Sequence, residues 1–363
     1  MKLFEEIKLN NLHVSNRAVR SATCEGAGDE KGSPNDKAVK LYEDLADGGT
    51  GLIISSYIFV SPEGKELPGH FGMTGDEDPA RYRKLTEAVH LKGSKIIAQL
   101  VHTGGQTSGK ATGGKTVAPS AVSSPQYPAV PEALSKDDIK RIIGDFGSAA
   151  KSAKEYGFDG VQIHGAHGYL VCQFLSPLLN RREDEYGGGL ENRARFLMEI
   201  YAEIRKQTGE DFHVGIKLNG SDNIDGGFEP EESVTVAEAL QEAGIDHIEV
   251  SAGTPGSGKK TPVQSDVKAG QNEGFNLEYA EKVRERVKLP LISVGGYRTL
   301  EKIEEAFDKG MDMVSLSRPL IREPGIINRW KSGDKEPSGC ISCNGCFRPL
   351  IKEGLIRCTQ LDK

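Results

Sequence analysis

The sequence predicts an α/β protein folded as a (β/α)8 TIM barrel with a short cysteine-containing C-terminal extension. Three observations predict it. Eight short β-branched runs recur along the chain with longer helical patterns between them. Most of the runs are continuously apolar, as parallel strands covered on both faces should be. The helical patterns repeatedly stop at glycine, the residue favoured where a helix ends with positive φ.

Taken in order, strands are expected near Arg17–Ala22, Leu52–Ser55, Lys95–Leu100, Gly160–His164, His213–Leu218, His247–Ser251, Pro290–Val294 and Met313–Leu316. Ser135 with Asp138 has the pattern of a capping box, opening a helix that runs to Tyr156 and stops at Gly157. Other helical patterns end at Asp47-Gly48, Thr208-Gly209, Ala243-Gly244 and Lys309-Gly310. Two connections are long and rich in small polar residues, Thr103 to Leu134 and Ala252 to Gly274. Each follows a strand, so each should overhang the C-terminal mouth as a lid or substrate loop, the alternative being disorder. Lys259 and Lys260 in the second loop are either an anion contact or a solvated basic pair. Residues 1–335 read as one barrel domain and 336–363 as a Cys-rich extension.

Composition removes several function classes. A net charge of −7 argues against nucleic-acid binding and against a basic membrane-surface protein. No run approaches membrane-spanning length, and the opening Met1 to Glu6 lacks the apolar core of a secretion signal, so a cytoplasmic protein is expected. Of six cysteines, Cys24 and Cys172 stand alone while Cys340, Cys343, Cys346 and Cys358 crowd the last residues. In a large cytosolic chain such a cluster points to a metal or redox site more than to disulfides.

Barrel geometry would bring the residues after each strand to one rim. The fourth run delivers His164, His167 and Tyr169, two imidazoles and a phenol within six residues. Such groups hydrogen-bond and exchange protons near neutral pH, although core or capping histidines and a metal site are the competing readings. No carboxylate stands between the two histidines, so the zinc-protease helix signature is absent. Gly295 and Gly296 after the seventh strand, with Ser317 and Arg318 after the eighth, look like a phosphate site. A phosphorylated planar cofactor would fit, with FMN leading: Gln99 could bond its pyrimidine edge and Lys217 could stabilise negative charge at N1. Lys217 lies inside an apolar run and therefore needs an anionic partner.

At these residues the sequence resembles the old yellow enzyme family of FMN-dependent ene-reductases. The resemblance runs from Met1 to about Trp330, and its most specific block is His164 to Leu170 followed by Phe174 to Arg182 and Asp184 to Gly188. It is similar to the bacterial branch that includes the barrels of 2,4-dienoyl-CoA reductase and trimethylamine dehydrogenase. The resemblance implies that Ser21, Ala22, Thr23 and Cys24 line the flavin, with Cys24 at a flavin-tuning position. Cys24 as a small buried hydrophobe is the plainer reading. Tyr57 and Gln99 match flavin-contacting positions, Lys217 the basic residue near N1, and Ser317-Arg318 the usual Gly-Arg phosphate pair. His164 and His167 match the pair that binds the substrate carbonyl, and Tyr169 matches the proton donor. The implied reaction carries hydride from NAD(P)H through FMN to the β-carbon of an activated alkene.

Cys340-x2-Cys343-x2-Cys346-x11-Cys358 has the spacing of a four-thiolate site. Multidomain relatives carry a similar run, with one more residue between the second and third cysteines, that holds a [4Fe-4S] cluster. A cluster, structural zinc and free thiols are the open readings here. Those relatives continue into a dinucleotide-binding domain, whereas this sequence ends at Lys363. The expectation is therefore direct reduction of FMN by NAD(P)H, or reduction through a separate electron-transfer flavoprotein. A barrel subunit of a flavin/iron–sulfur dehydrogenase is the alternative function, and a homo-oligomer is a further expectation.

Overall fold

The computed structural model describes residues 1–124 and 126–362. Pro125, within the first long loop, and Lys363, at the end of the extension, lie outside them. The expected (β/α)8 barrel is present. Its strands are β1 (Ala18–Arg20), β2 (Leu52–Phe59), β3 (Lys95–Val101), β4 (Gly160–Gly165), β5 (His213–Asn219), β6 (His247–Ser251), β7 (Leu291–Val294) and β8 (Met313–Leu316). They pair in parallel in chain order, and β1 closes the ring against both β8 and β2.

β2 runs four residues past its expected end. Its register against β3 shifts between Ile54 and Tyr57. Such an irregularity re-aims the residues beyond it, and Tyr57 emerges on the wall of the mouth cavity. The opposite end of the barrel is plugged by a hairpin, Ile7–Leu9 paired with Leu12–Val14. Leu9, Leu12 and Val14 pack with Val19, Leu52, Ile97, Ile292 and Met313 into an apolar stopper, removing about 25 cal/mol from water's side of the balance per Å² of apolar surface covered.

The helix Lys136–Glu155 opens with the expected Ser135–Asp138 capping box and ends at Tyr156, with Gly157 at φ 89°. Gly244 ends the helix Pro230–Ala243 in the left-handed conformation. Gly48 departs from expectation, because its φ is −71° and the left-handed residue is Gly49. Close approach explains Gly48: a Cβ there would lie 2.0 Å from the Pro324 carbonyl oxygen.

The extension folds back onto the barrel mouth. Arg298, almost fully buried, donates to the Cys340 carbonyl at 3.2 Å and to Ser342 Oγ at 2.9 Å. The Ile356 N–H donates to the Glu25 carbonyl at 2.9 Å. Between these ties runs the helix Phe347–Glu353, whose Phe347, Leu350 and Ile351 line the cavities at the mouth. No helix among the described residues is long and apolar enough to cross a membrane.

Candidate active site

Two adjoining cavities open at the C-terminal ends of the strands, of about 260 and 660 Å³. Cys24, Tyr57, His167, Tyr169 and Phe347 line both, so the two cavities meet at these side chains. Ser21 to Cys24 enter the smaller cavity from the end of β1, Tyr57 from β2, His164 from β4, Lys217 from β5, and Gly296, Ser317 and Arg318 from beyond β7 and β8. Gln99 and Gly295 stand apart from its lining.

The imidazoles and the phenol are brought together by a tight reversal. His167 has φ 62° and Gly168 φ 79°, so the chain takes two successive left-handed steps before the helix Leu170–Leu175. A side chain in that conformation is strained and persists only where its surroundings hold it. Gln106 donates to the His167 carbonyl at 2.9 Å, and Ser251 Oγ lies 2.8 Å from His167 Nε2. The His164 ring packs edge-on to His167 and Tyr169, with centroids 5.2 and 4.9 Å away. His164 Nδ1 accepts from the Ala166 N–H at 3.3 Å, which places its ring proton on Nε2. Burial, reinforced by the Lys217 charge, pushes His167 down to about 3, and burial together with His167 and Lys217 holds His164 well below the usual histidine range. Both rings are therefore neutral hydrogen-bond donors at physiological pH, the form that polarises a carbonyl without carrying charge.

Lys217 has the partner its burial demands. Its Nζ lies 3.2 Å from Glu249 Oε2 and donates to Ser21 Oγ at 2.7 Å. Lys217 and Glu249 are direct register partners on β5 and β6, so their side chains leave the barrel wall on the same side. Burial lowers the Lys217 pKa against the pull of that carboxylate. Burial pushes Glu249 up, but the Lys217 ammonium and the hydrogen bonds from Ser21 and Gln162 outweigh it and hold the carboxyl below its usual range. The sequence reading missed Glu249, although an acid within the apolar run His247–Ser251 was a visible signal.

Beneath this pair a line of buried polar groups continues to the plugged end. Gln162 Nε2 donates to Glu249 Oε2 and to His247 Nε2, each at 3.1 Å. His247 Nδ1 pairs with His213 Nε2 at 2.8 Å, and His213 Nδ1 with Asn11 Oδ1 at 2.8 Å. One direction of donation satisfies every member, with both imidazoles neutral because burial pushes each down to about 3. Gln162 Oε1 in turn accepts from Gln99 Nε2 at 2.6 Å. Gln99 Oε1 is left buried with no partner, an acceptor that an incoming N–H would satisfy.

At the other end of the smaller cavity, Arg318 donates to the Gln264 carbonyl at 2.6 Å and to Asn344 Oδ1 at 2.7 Å. Gly296 has φ 78° and lines the cavity, whereas a Cβ on Gly295 would come within 2.9 Å of the Phe275 and Asn276 nitrogens. Gly295 is thus explained by close backbone packing. The residues suit FMN: a guanidinium beside bare backbone for the phosphate, an ammonium across the cavity, and the orphaned Gln99 acceptor for the ring N3–H.

The remaining expectations fall outside the two cavities. Lys259 and Lys260 are exposed and line neither. Of the block from Phe174 to Gly188, Arg182 forks onto Asp184 and ties to the Pro119 and Leu134 carbonyls, and Asn180 bridges the Phe174 and Tyr186 carbonyls. That block is a brace for the long loop. Cys340, Cys343, Cys346 and Cys358 face one small cavity of about 20 Å³ together with Arg318 and Arg322. Among the described residues, no three His, Cys, Asp or Glu side chains are gathered closely enough to hold a metal ion.

Residues 2–336 match the model of the NADH:flavin oxidoreductase / NADH oxidase family. An NADH oxidase of Thermoanaerobacter brockii is 37% identical over 98% of this chain, which spans 55% of that protein. An NADPH dehydrogenase of Clostridium acetobutylicum is 34% identical, with 90% of this chain and 94% of that protein covered. The old yellow enzyme homologue from Zymomonas mobilis superposes with a TM-score of 0.82 at 27% identity, over 99% of this chain and 98% of that one.

Proposed function

From its place in the NADH:flavin oxidoreductase / NADH oxidase family, to which the chain belongs, we propose that this protein reduces an activated alkene at the expense of NAD(P)H. It is an NAD(P)H-dependent flavin oxidoreductase of the old yellow enzyme type; the alkene substrate and the residue roles are the proposal. FMN, when bound, would supply the hydride-carrying chemistry between NAD(P)H and the alkene β-carbon.

The chain's own residues do the rest. Arg318 and the backbone at Gly296 would hold the phosphate, and the unpartnered Gln99 Oε1, which stands behind the cavity lining, would accept from the ring edge once the lining opens to it. Lys217, held by Glu249 and Ser21, places positive charge at the floor of the cavity. His164 and His167 bind the substrate carbonyl oxygen through neutral ring N–H groups, which makes the β-carbon more electrophilic. Tyr169 holds the proton that the α-carbon takes. Ser21 to Cys24 and Tyr57 shape the wall around the ring. The observation that carries this reading is the convergence of both imidazoles and the Tyr169 phenol on one cavity above the buried Lys217–Glu249 pair.

The test is a flavin-reconstituted protein, reduced anaerobically by NADH or NADPH and then mixed with enones, enoyl thioesters and nitroalkenes. Reoxidation of the flavin by one of these classes is expected. A protein that binds no FMN, or whose reduced flavin none of them reoxidises, defeats the reading.

One observation favours a second reading. The four C-terminal cysteines share their cavity with Arg318, which also lines the flavin cavity. They are the ligand candidates for a [4Fe-4S] cluster or zinc, with their thiols drawn closer together. Iron and sulfide in anaerobically purified protein, with poor direct oxidation of NAD(P)H, would favour a subunit of a flavin/iron–sulfur dehydrogenase.

A further inference from the structure

Tyr169 does not present a free proton. Its O–H donates to Glu66 Oε2 at 2.9 Å, and the Tyr57 O–H donates to the same oxygen at 2.7 Å. Tyr127, in the long loop Thr103 to Leu134, donates to Glu66 Oε1 at 3.4 Å. Three phenols thus converge on one carboxyl group that faces the larger cavity. Among the described residues Glu66 makes no ion pair. Its remaining titratable neighbours are neutral: burial pushes the Cys24 thiol up to about 12, and pushes His70, whose Nδ1 accepts the Glu66 N–H, down to about 3. The adjacent Lys65 ammonium is directed at the Phe59 ring and the Glu30 carbonyl.

A phenol has one proton. While Glu66 is ionised it accepts that proton from Tyr169, which then cannot point at a substrate. A protonated Glu66 accepts more weakly and donates its own O–H, releasing a phenol proton toward the cavity. Resting on the alkene-reductase reading, we propose that Glu66 is the positioning residue for the Tyr169 proton, holding it when ionised and releasing it when neutral. In the productive state the Tyr169 O–H bond breaks as the α-carbon–hydrogen bond forms, and the Glu66 carboxyl proton restores the phenol. Water reprotonates Glu66 through Tyr127, the outermost member of the cluster. The hydride that balances this proton is the one the flavin carries. Burial raises the Glu66 pKa while the three phenols lower it, and burial prevails. A raised carboxyl is protonated below its pKa, so proton delivery is expected at low pH and is lost as pH rises through that value.

The experiment follows oxidation of pre-reduced, FMN-loaded enzyme by a simple cyclic enone in a single turnover across pH, for wild type and Glu66→Gln. Above the Glu66 pKa the wild-type rate should fall about tenfold per pH unit. Glu66→Gln, whose amide always donates, should stay within about twofold over the same range. Tyr127→Phe removes a donor that stabilises the carboxylate, and should move the wild-type decline to higher pH. On the apoprotein, the wild-type minus Glu66→Gln infrared difference should contain one protonated-carboxyl band that titrates, the bands of other buried carboxyls such as Glu25 cancelling. A Glu66→Gln profile as steep as wild type, or the same infrared titration in both proteins, overturns the role of Glu66. Wild-type enzyme that oxidises at no pH defeats the alkene-reductase reading instead, and the infrared titration still decides whether Glu66 takes up the proton.

Discussion

Glu249→Gln should show how far the barrel interior depends on one carboxylate. Lys217 and Glu249 are 3% and 0% exposed, with 3.2 Å between Nζ and Oε2. At an effective dielectric of about 20, charges this close attract by roughly 5 kcal/mol. Desolvation cancels much of that in the intact pair, but removing one partner strands the other, and such substitutions destabilise by about 3–5 kcal/mol. At about 2 °C per kcal/mol for a large domain, the melting temperature should fall by roughly 6–10 °C. The deficit should also depend on pH. With its counter-ion gone, Lys217 has a folded-state pKa depressed further below its unfolded value, so the unfolded chain binds more protons between the two. Stability of the variant relative to wild type must then rise with pH toward the ordinary lysine range near about 10. Thermal unfolding of the apoprotein across that range measures both effects. Lys217→Met with Glu249→Leu, which removes both charges together, should recover most of the loss. A Glu249→Gln protein within about 0.5 kcal/mol of wild type at neutral pH, or a deficit that ignores pH, would refute the reasoning.

Three further outcomes are expected. Tyr169→Phe should slow alkene reduction by about 10²–10⁴-fold while leaving flavin reduction by NAD(P)H largely intact; equal alkene turnover in both proteins removes Tyr169 from its proposed role. Gly26→Ala combines φ 71° with a Cβ 2.7 Å from Leu350 Cγ. It should loosen the Phe347–Glu353 helix by about 1–2 kcal/mol, seen as faster hydrogen exchange confined to the extension. If the cysteines hold metal, Cys343→Ser should lower the iron or zinc content of anaerobically purified protein, and unchanged content would exclude Cys343 as a ligand.

Most of the architecture was legible because barrels repeat. Each strand is covered on both faces and reads as an apolar run, and β6 and β8 begin and end at the expected residues. β2 was the exception, since its register shift at Ser55-Ser56 is a pairing event that local composition does not encode. In the site, residues carrying unusual chemistry in an apolar setting were found: His164, His167, Tyr169, Lys217 and Arg318 all reach the mouth. Glu66 was invisible. It sits in Pro62 to Gly69 among other charges and reads as a solvated turn, and only the fold sets three phenols around it.

The sequence alone determined the strand-and-helix order, the closed parallel barrel and the identity of most rim side chains. Those follow from periodicity and from the fact that strand ends of a barrel share one face. The tertiary structure alone decided which carboxylate answers Lys217, how Gln99 is oriented through Gln162, His247 and His213, and that the Tyr169 O–H donates to Glu66. These are contacts of about 3 Å between residues 30 to more than 100 positions apart. Hydrogen-bond and ion-pair energies change steeply over fractions of an ångström, a distance scale that spacing along the chain does not carry.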